Sequence, residues 1–234
     1  MPLNKSKGQM YPWVTHTHTH LGGECPHECS YCYVQAMVRR FGHDRYKGDL
    51  RFINDELKVK YGSGRTIFIE HCNDMWANAV PAEWRTDILQ HCCEYTDNEY
   101  VFQTKNPHRF LSRIHKMPPR RLLGCTLESM NYDVIRDVSH VVPTPIERVA
   151  SMVALRNLGE RLFVTVEPIL RGNMISLADA IADIQPEFVN VGADSKGTGL
   201  DEPTADDVAV LLNRLRENNI EIREKRNLER LLKS

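Results

Sequence analysis

The strongest constraint on this chain is a repeating alternation. Short runs rich in β-branched and aromatic residues give way, again and again, to longer amphipathic stretches. The runs predict strands at 13–18, 66–71, 99–104, 121–127, 161–167 and 187–192, and the stretches predict helices at 33–41, 82–95, 107–115, 145–158, 177–184 and 206–218. Pro81 and Thr204 suit helix starts, and Gly159 suits a left-handed stop. A strand followed by a helix, repeated, implies a parallel sheet with right-handed crossovers. Runs such as IFI, LFVTV and FVNV are almost continuously apolar, as strands covered on both faces should be. A closed (β/α)8 barrel takes about 250 residues and two further units. The expectation is therefore an open, partial (β/α)6 TIM-like barrel with a parallel six-stranded sheet. It is read as one domain over 1–234, with barrel units in 12–200 and a C-terminal helix and extension in 201–234. The charged segment 50–64 reads as a loop or short helix.

In parallel α/β folds, ligands bind beyond the carboxyl ends of the strands. Those ends read HTHLGGECPHECSYC, EHCNDMW, QTKN, TLES, VEP and GADSKG. Glu70, Asn73, Asp74, Lys105, Thr126, Glu128, Ser129, Glu167, Asp194 and Lys196 would converge on one mouth. Polar loop ends alone would look similar. Glu167 is harder to dismiss, because VTVEPIL sets a carboxylate in an apolar run, where an unpartnered charge is costly. Glu128 in GCTLESM is a similar case.

Cys25, Cys29 and Cys32 follow the first strand with C-x3-C-x2-C spacing. Thiolates are the usual iron–sulfur ligands, and three of them leave one iron of a cubane without a protein ligand. The alternative is a structural zinc, with His27, His20 or His18 completing a Cys3His set. Seven cysteines would leave one unpaired in a secreted protein, and clustered thiols in a reducing compartment are metal-binding or catalytic more often than bridged. The opening MPLNKSKGQMYPW has no apolar signal core, and no run approaches the roughly 18 apolar residues of a membrane span. A cytoplasmic location is expected. A net charge of −1 gives no global attraction to polyanions.

The motif CPHECSYCY resembles that of the radical S-adenosylmethionine (SAM) enzymes, and the six-unit open barrel resembles their core. More narrowly, the chain resembles the phage Gp37/Gp68-like (DUF5131-type) group, through THTHTHLGGECPHECSYCY, FIEHCNDMWANAVPAEW, VFQTKNPHRFL, GCTLES, VTVEPI, FVNVGADSKG and NLERLL. The resemblance implies that Cys25, Cys29 and Cys32 ligate a [4Fe–4S] cluster. SAM would chelate the open iron and be cleaved reductively to a 5′-deoxyadenosyl radical that abstracts a substrate hydrogen. Tyr33 would meet the adenine through its backbone. Many relatives carry a Gly-Gly-Glu-type motif after the second strand; here His71-Cys72-Asn73-Asp74 stands instead, with Asn73 and Asp74 as substitutes. Thr126 and Glu128 are placed for ribose or carboxylate, and Val191-Gly192 for adenine. Glu167 is assigned near SAM. Lys105 is assigned toward substrate or as partner of a carboxylate; a structural Glu167–Lys105 ion pair is the alternative. A flavodoxin- or ferredoxin-like electron donor is implied.

The alternating His16, His18 and His20 would share one strand face, either binding metal or, the preferred reading, lining the barrel interior beneath the cluster. Cys92, Cys93 and Cys125 read as buried small residues; Cys72, at a strand end, reads as that or as a substrate-facing residue. Lys105, Arg109, Arg113, Lys116, Arg120 and Arg121 lie in an acid-free stretch, a phosphate contact or a solvated face. Residues 192–197, glycine-flanked, suggest weakly an anion held on backbone amides. The leading reading is a radical SAM enzyme acting on a nucleotide, nucleobase or nucleic acid. A zinc-stabilised nucleic-acid-binding module without catalysis is the rival, and a purely electron-carrying cluster protein a second one.

Overall fold

The structure is a computed structural model that describes residues 3–8 and 10–233. Three of the residues outside it, Met1, Pro2 and Gln9, belong to the opening stretch read above for a signal. The strands are β1 (Asn4–Lys5), β2 (His16–His18), β3 (Leu21–Gly22), β4 (Arg51–Phe52), β5 (Thr66–Ile69), β6 (Glu99–Thr104), β7 (Arg121–Thr126), β8 (Leu162–Val166), β9 (Phe188–Val191) and β10 (Ile222–Glu224). The helices are α1 (Tyr33–Phe41), α2 (Ala82–Cys93), α3 (His108–Leu111), α4 (Tyr132–Val138), α5 (Pro145–Asn157), α6 (Met174–Ile184), α7 (Ala205–Glu217) and α8 (Glu229–Leu232).

The main sheet runs β1-β2-β5-β6-β7-β8-β9-β10. The six expected strands stand side by side in it, parallel and in chain order. Two strands not expected extend it: β1 pairs antiparallel with β2, and β10 pairs parallel with β9. The sheet stays open. A separate two-stranded ribbon joins β3 to β4, so the segment 50–64 contributes a strand and a short 3-10 turn (Asn54–Lys58).

Local chemistry sets the helix ends. Thr144 and Glu147 form a reciprocal capping box at α5, with Pro145 in its first turn, and Thr204 and Asp207 do the same at α7. Asn131 and Asn173 cap α4 and α6. Gly159 ends α5 at φ 79°.

The outward faces of the strands, Ile67, Ile69, Tyr100, Phe102, Leu123, Val164 and Val189, pack against the helices in the main core. The inward faces form a smaller core of Phe68, Val101, Leu122, Phe163 and Phe188, into which Tyr11 and Val14 of the opening segment are packed. Gly124 leaves room for the Phe163 ring, which would lie 2.1 Å from an added Cβ. Tyr11 and Trp13 stack with centroids 5.3 Å apart, and Arg223 of β10 lies 5.8 Å from the Trp13 ring. An aromatic strap thus fills the barrel interior toward its open edge.

The register corrects one expectation. His16 and His18 pair with Ile67 and Ile69, whose side chains face the helices, while Thr17 pairs with the inward Phe68. The histidines do share one face, but it is the outer face and not the barrel interior. Among the described residues no helix is long and apolar enough to cross a membrane.

Candidate active site at the barrel mouth

Beyond the carboxyl ends of the strands lies a cavity of about 640 Å³, a size typical of small-molecule sites. Cys25, Cys29 and Cys32 line it, together with Tyr33, Asn73, Asp74, Lys105, Thr126 and Glu167. The three cysteines are free thiols. Their loop turns twice, with Glu28 N–H donating to Cys25 O at 3.1 Å and Cys32 N–H to Cys29 O at 3.0 Å. Cys32 is then the N-cap of α1.

Four ties hold this loop from different elements. Ser30 N–H donates to Val138 O at the end of α4 (2.9 Å), and Ser139 Oγ to His27 O (2.5 Å). His27 Nε2 meets Asp74 Oδ2 at 2.8 Å, and Tyr31 donates its hydroxyl to Glu128 Oε1. Two of these ties come from the α4 end, a helix the sequence reading missed.

Asp74 also accepts from Thr104 Oγ1 (2.8 Å), Lys105 N–H (3.3 Å) and Trp76 N–H (2.9 Å). Burial pushes its carboxyl up, but His27 and these donors outweigh it and hold the group below its usual range. Asn73 Nδ2 donates to Gly23 O at 3.3 Å. The polar atoms of both residues therefore brace the cysteine loop while the side chains border the cavity.

Glu128 corrects the sequence reading. It is 1% exposed and does not line the cavity. Its Oε1 accepts from Lys105 Nζ (2.8 Å) as well as Tyr31, and its Oε2 from Arg148 Nη1 (2.7 Å). Burial opposes ionisation, yet Lys105 and Arg148 keep the carboxyl far below its usual range. It supports the loop from behind, away from the cavity. Lys105 takes the carboxylate partner foreseen for it, and that partner is Glu128; the alternative Glu167–Lys105 pair is not formed.

Glu167 faces the cavity with Lys225 Nζ 2.7 Å from Oε2 and Asn227 Nδ2 donating to Oε1 at 3.0 Å. Both partners lie at the end of β10 or just beyond, in a region read only as an extension. The alternation in IEIRE was the available signal. Val191 and Gly192 are not on the cavity wall. Val191 O accepts from Lys225 N–H (2.8 Å), and a Cβ on Gly192 would sit 2.9 Å from Asn227 Oδ1 and 3.0 Å from Glu167 Oε1. The glycine allows that pair to approach. The cavity floor is polar: Tyr11 donates to Gln103 Oε1 and bonds Thr165 Oγ1, both at 2.8 Å, and Gln103 Nε2 donates to Thr126 Oγ1 at 2.9 Å.

The other candidates resolve as follows. Cys72 borders the cavity but packs with Val34 and Val38; Cys92 and Cys125 are buried in the main core. Arg121 pairs with Glu160 (2.6 Å), and Arg109 donates to Asn78 Oδ1. Asp194 accepts the amides of Lys196 and Thr198, so a carboxylate already stands where an anion on this loop would sit.

The donor set can be tested against the groups in question. Burial raises the Cys29 thiol to about 11, with Lys105 counteracting, and raises the Cys25 thiol well above its usual range; a bound metal must displace those protons. Three thiols on one cavity wall fit a cluster with one open iron. A Cys3His zinc completed by His18 or His20 fits less well, because both lie in a separate buried group with Tyr61 and His91. Among the described residues, no three His, Cys, Asp or Glu side chains converge as one ion would require.

The open parallel α/β barrel is similar in fold to solved structures of spore photoproduct lyase and of SuiB. A spore photoproduct lyase variant with bound AdoMet and dinucleoside spore photoproduct aligns at TM-score 0.57 and 13% identity, over 94% of this chain and 67% of its own. Another variant of that lyase aligns at 0.65 and 10%, over 95% and 80%. Streptococcus suis SuiB bound to its precursor peptide SuiA aligns at 0.62 and 12%, over 89% of this chain but only 48% of SuiB. This chain therefore spans about half of SuiB. The profile described as "Protein of unknown function (DUF5131)" matches residues 11–201, and the chain belongs to that family. No curated protein sequence matches it significantly.

Proposed function

We propose that this protein is a radical SAM enzyme whose cluster is held by Cys25, Cys29 and Cys32. The observation that carries the reading is the set of three free thiols on one wall of the mouth cavity, facing polar groups from the other strand ends. When bound, a [4Fe–4S] cluster and SAM would supply the radical chemistry that removes a substrate hydrogen. The chain's own part is to place and shield. His27, Tyr31 and Ser30 fix the thiol loop through Asp74, Glu128 and α4. Tyr33, Asn73, Asp74 and Thr126 border the SAM volume, and Glu167, oriented by Lys225 and Asn227, offers a carboxylate to the cofactor's polar end. Lys105 holds Glu128 in place, with its Nζ 5.0 Å from the Tyr31 ring centroid. Val191 and Gly192 act from behind the wall.

Nucleotide, nucleobase or nucleic acid remains the proposed substrate class, supported by the phage Gp37/Gp68-like motif string and by the dinucleoside held in the lyase neighbour. A flavodoxin- or ferredoxin-like donor in the cytoplasm, acting on the whole chain as one working unit, completes the proposal. The test is anaerobic reconstitution, with iron, sulfide and zinc quantified, then dithionite and SAM added and 5′-deoxyadenosine measured. Cleavage that is lost in Cys29→Ala supports the reading. Stoichiometric zinc, or a cluster inert toward SAM, overturns it in favour of the zinc module or an electron carrier.

A further inference from the structure

Starting at Glu70, which borders the cavity, three buried side chains stand in series. Glu70 Oε1 is 2.8 Å from His20 Nδ1, His20 Nε2 is 3.0 Å from His91 Nδ1, and His91 Nε2 is 2.9 Å from the Val59 carbonyl oxygen. Glu70 is 4% exposed, His20 0% and His91 2%. A carbonyl can only accept, so three contacts in a row need three protons. Two neutral imidazoles bring one each. The third must be added to the row, whichever atom carries it. Without it, two lone pairs face each other at one of the three contacts. The Tyr61 hydroxyl, 3.1 Å from His20 Nε2, can fill a lone pair there but cannot complete all three.

The same carboxyl clamps the chain as it enters the cysteine loop. Glu70 Oε1 accepts His20 N–H at 2.6 Å and Oε2 accepts Leu21 N–H at 3.3 Å. Gly23 N–H then donates to Arg45 O (2.8 Å) and Glu24 N–H to Gly48 O (2.9 Å), and Cys25 follows. Glu70 itself adopts a left-handed φ of 62°, which a non-glycine residue holds only when its surroundings enforce it.

We propose that Glu70, His20 and His91 are positioning residues for the cysteine loop, latched by one proton that Glu70 and His20 share. This rests on the reading that the loop carries the cluster. The groups facing the row do not supply that proton. Arg45 is matched by Glu56 at 2.6 Å. From the strand side come His18 and His71, from the intervening segments Tyr46, Tyr61 and Cys72, and from α2 and its end Cys92 and Glu94. Burial acts in the same direction, raising Glu70 to about 8 and lowering His20 to about 3, which puts the proton on the carboxyl.

The test uses the metal-free chain, so it stands whether or not a cluster assembles. NMR of labelled histidine and glutamate side chains, with Glu70 assigned through Glu70→Gln, gives the proton count; amide exchange at 20–25, corrected for intrinsic pH dependence, gives the latch. The expected result is two neutral Nε2–H imidazoles with a protonated Glu70 at pH 6.5, one proton lost near pH 8, and a loss of protection at 20–25 with the same midpoint. An ionised Glu70 beside two neutral rings at pH 6.5 overturns the proposal. So does protection that is unchanged across the titration. A chain that passes both measurements yet never takes up iron keeps the latch and refutes the proposed function.

Discussion

Tyr31, between the second and third cysteines of the loop, donates its hydroxyl to Glu128, 97 residues further along the chain. Through Glu128 the loop is tied to Lys105 on one side and Arg148 on the other, so two cations and one phenol share a single buried carboxylate. Removing one partner of a buried charge pair costs about 3–5 kcal/mol. Glu128→Ala strands both cations and should destabilise the metal-free protein by at least that amount, read from urea unfolding. Tyr31→Phe loses one hydrogen bond to a charged group, about 1.5–3 kcal/mol, and should release iron faster to a chelator. A Glu128→Ala protein of unchanged stability would mean the carboxylate belongs to the cofactor after all.

Gly192→Ala tests the approach of Glu167 and Asn227. The added methyl meets Asn227 Oδ1 at 2.9 Å and Glu167 Oε1 at 3.0 Å, contacts only side chains can relieve. Overpacking of this kind costs about 1–3 kcal/mol. SAM affinity, measured calorimetrically on reconstituted protein, should fall by roughly tenfold while the cluster's absorption stays. Unchanged affinity would separate Glu167 from SAM.

Cys72→Ala should keep full iron content and the cluster spectrum, because the Cys72 side chain packs against Val34 and Val38. Cys25→Ala, Cys29→Ala and Cys32→Ala should each lose them. Iron lost from Cys72→Ala would make it a ligand.

Stability should peak near neutral pH for a reason the buried row supplies. Up to about 8 the folded chain keeps a proton on Glu70 that the unfolded chain gives up near its ordinary pKa, so stability falls as pH rises through that window. Burial lowers His20 and His91. Below about 6.5 the unfolded chain protonates them and the folded chain does not, so stability also falls as pH drops. For these groups the maximum lies near pH 6.5, with a limiting slope of about 1.4 kcal/mol per pH unit per proton. Glu70→Gln should flatten the alkaline limb of urea midpoints measured from pH 5 to 9 and steepen the acid limb, where the Glu70 proton opposes the two histidines. An unaltered alkaline limb would exclude Glu70 as its source.

The parts of this architecture that repeat could be read from the chain, because apolar runs on strands buried on both faces and capping boxes at helix starts are local signals. β10 escaped because two of its three residues are charged, so the short alternation in IEIRE is a faint signal beside its pairing with β9. The outward turn of His16 and His18 escaped because alternation says which residues share a face and not which face is inside. Glu128 looked like a ligand from its place after β7; its burial depends on Arg148, which reaches it from α5. Asp74 does border the mouth cavity, but its bond to His27 is a matter of tertiary distance.

The return of the chain through Lys225 and Asn227 to Glu167 sets an order of events during synthesis. Roughly 200 residues separate the thiols from these last contributors, and at 5–20 residues per second the cysteine loop waits on the order of ten seconds or longer before its cavity can be finished. Over that interval the nascent thiols are open to oxidants and stray metals. On the proposed function, a cluster sealed in its finished cavity would have to wait for the C-terminal strand.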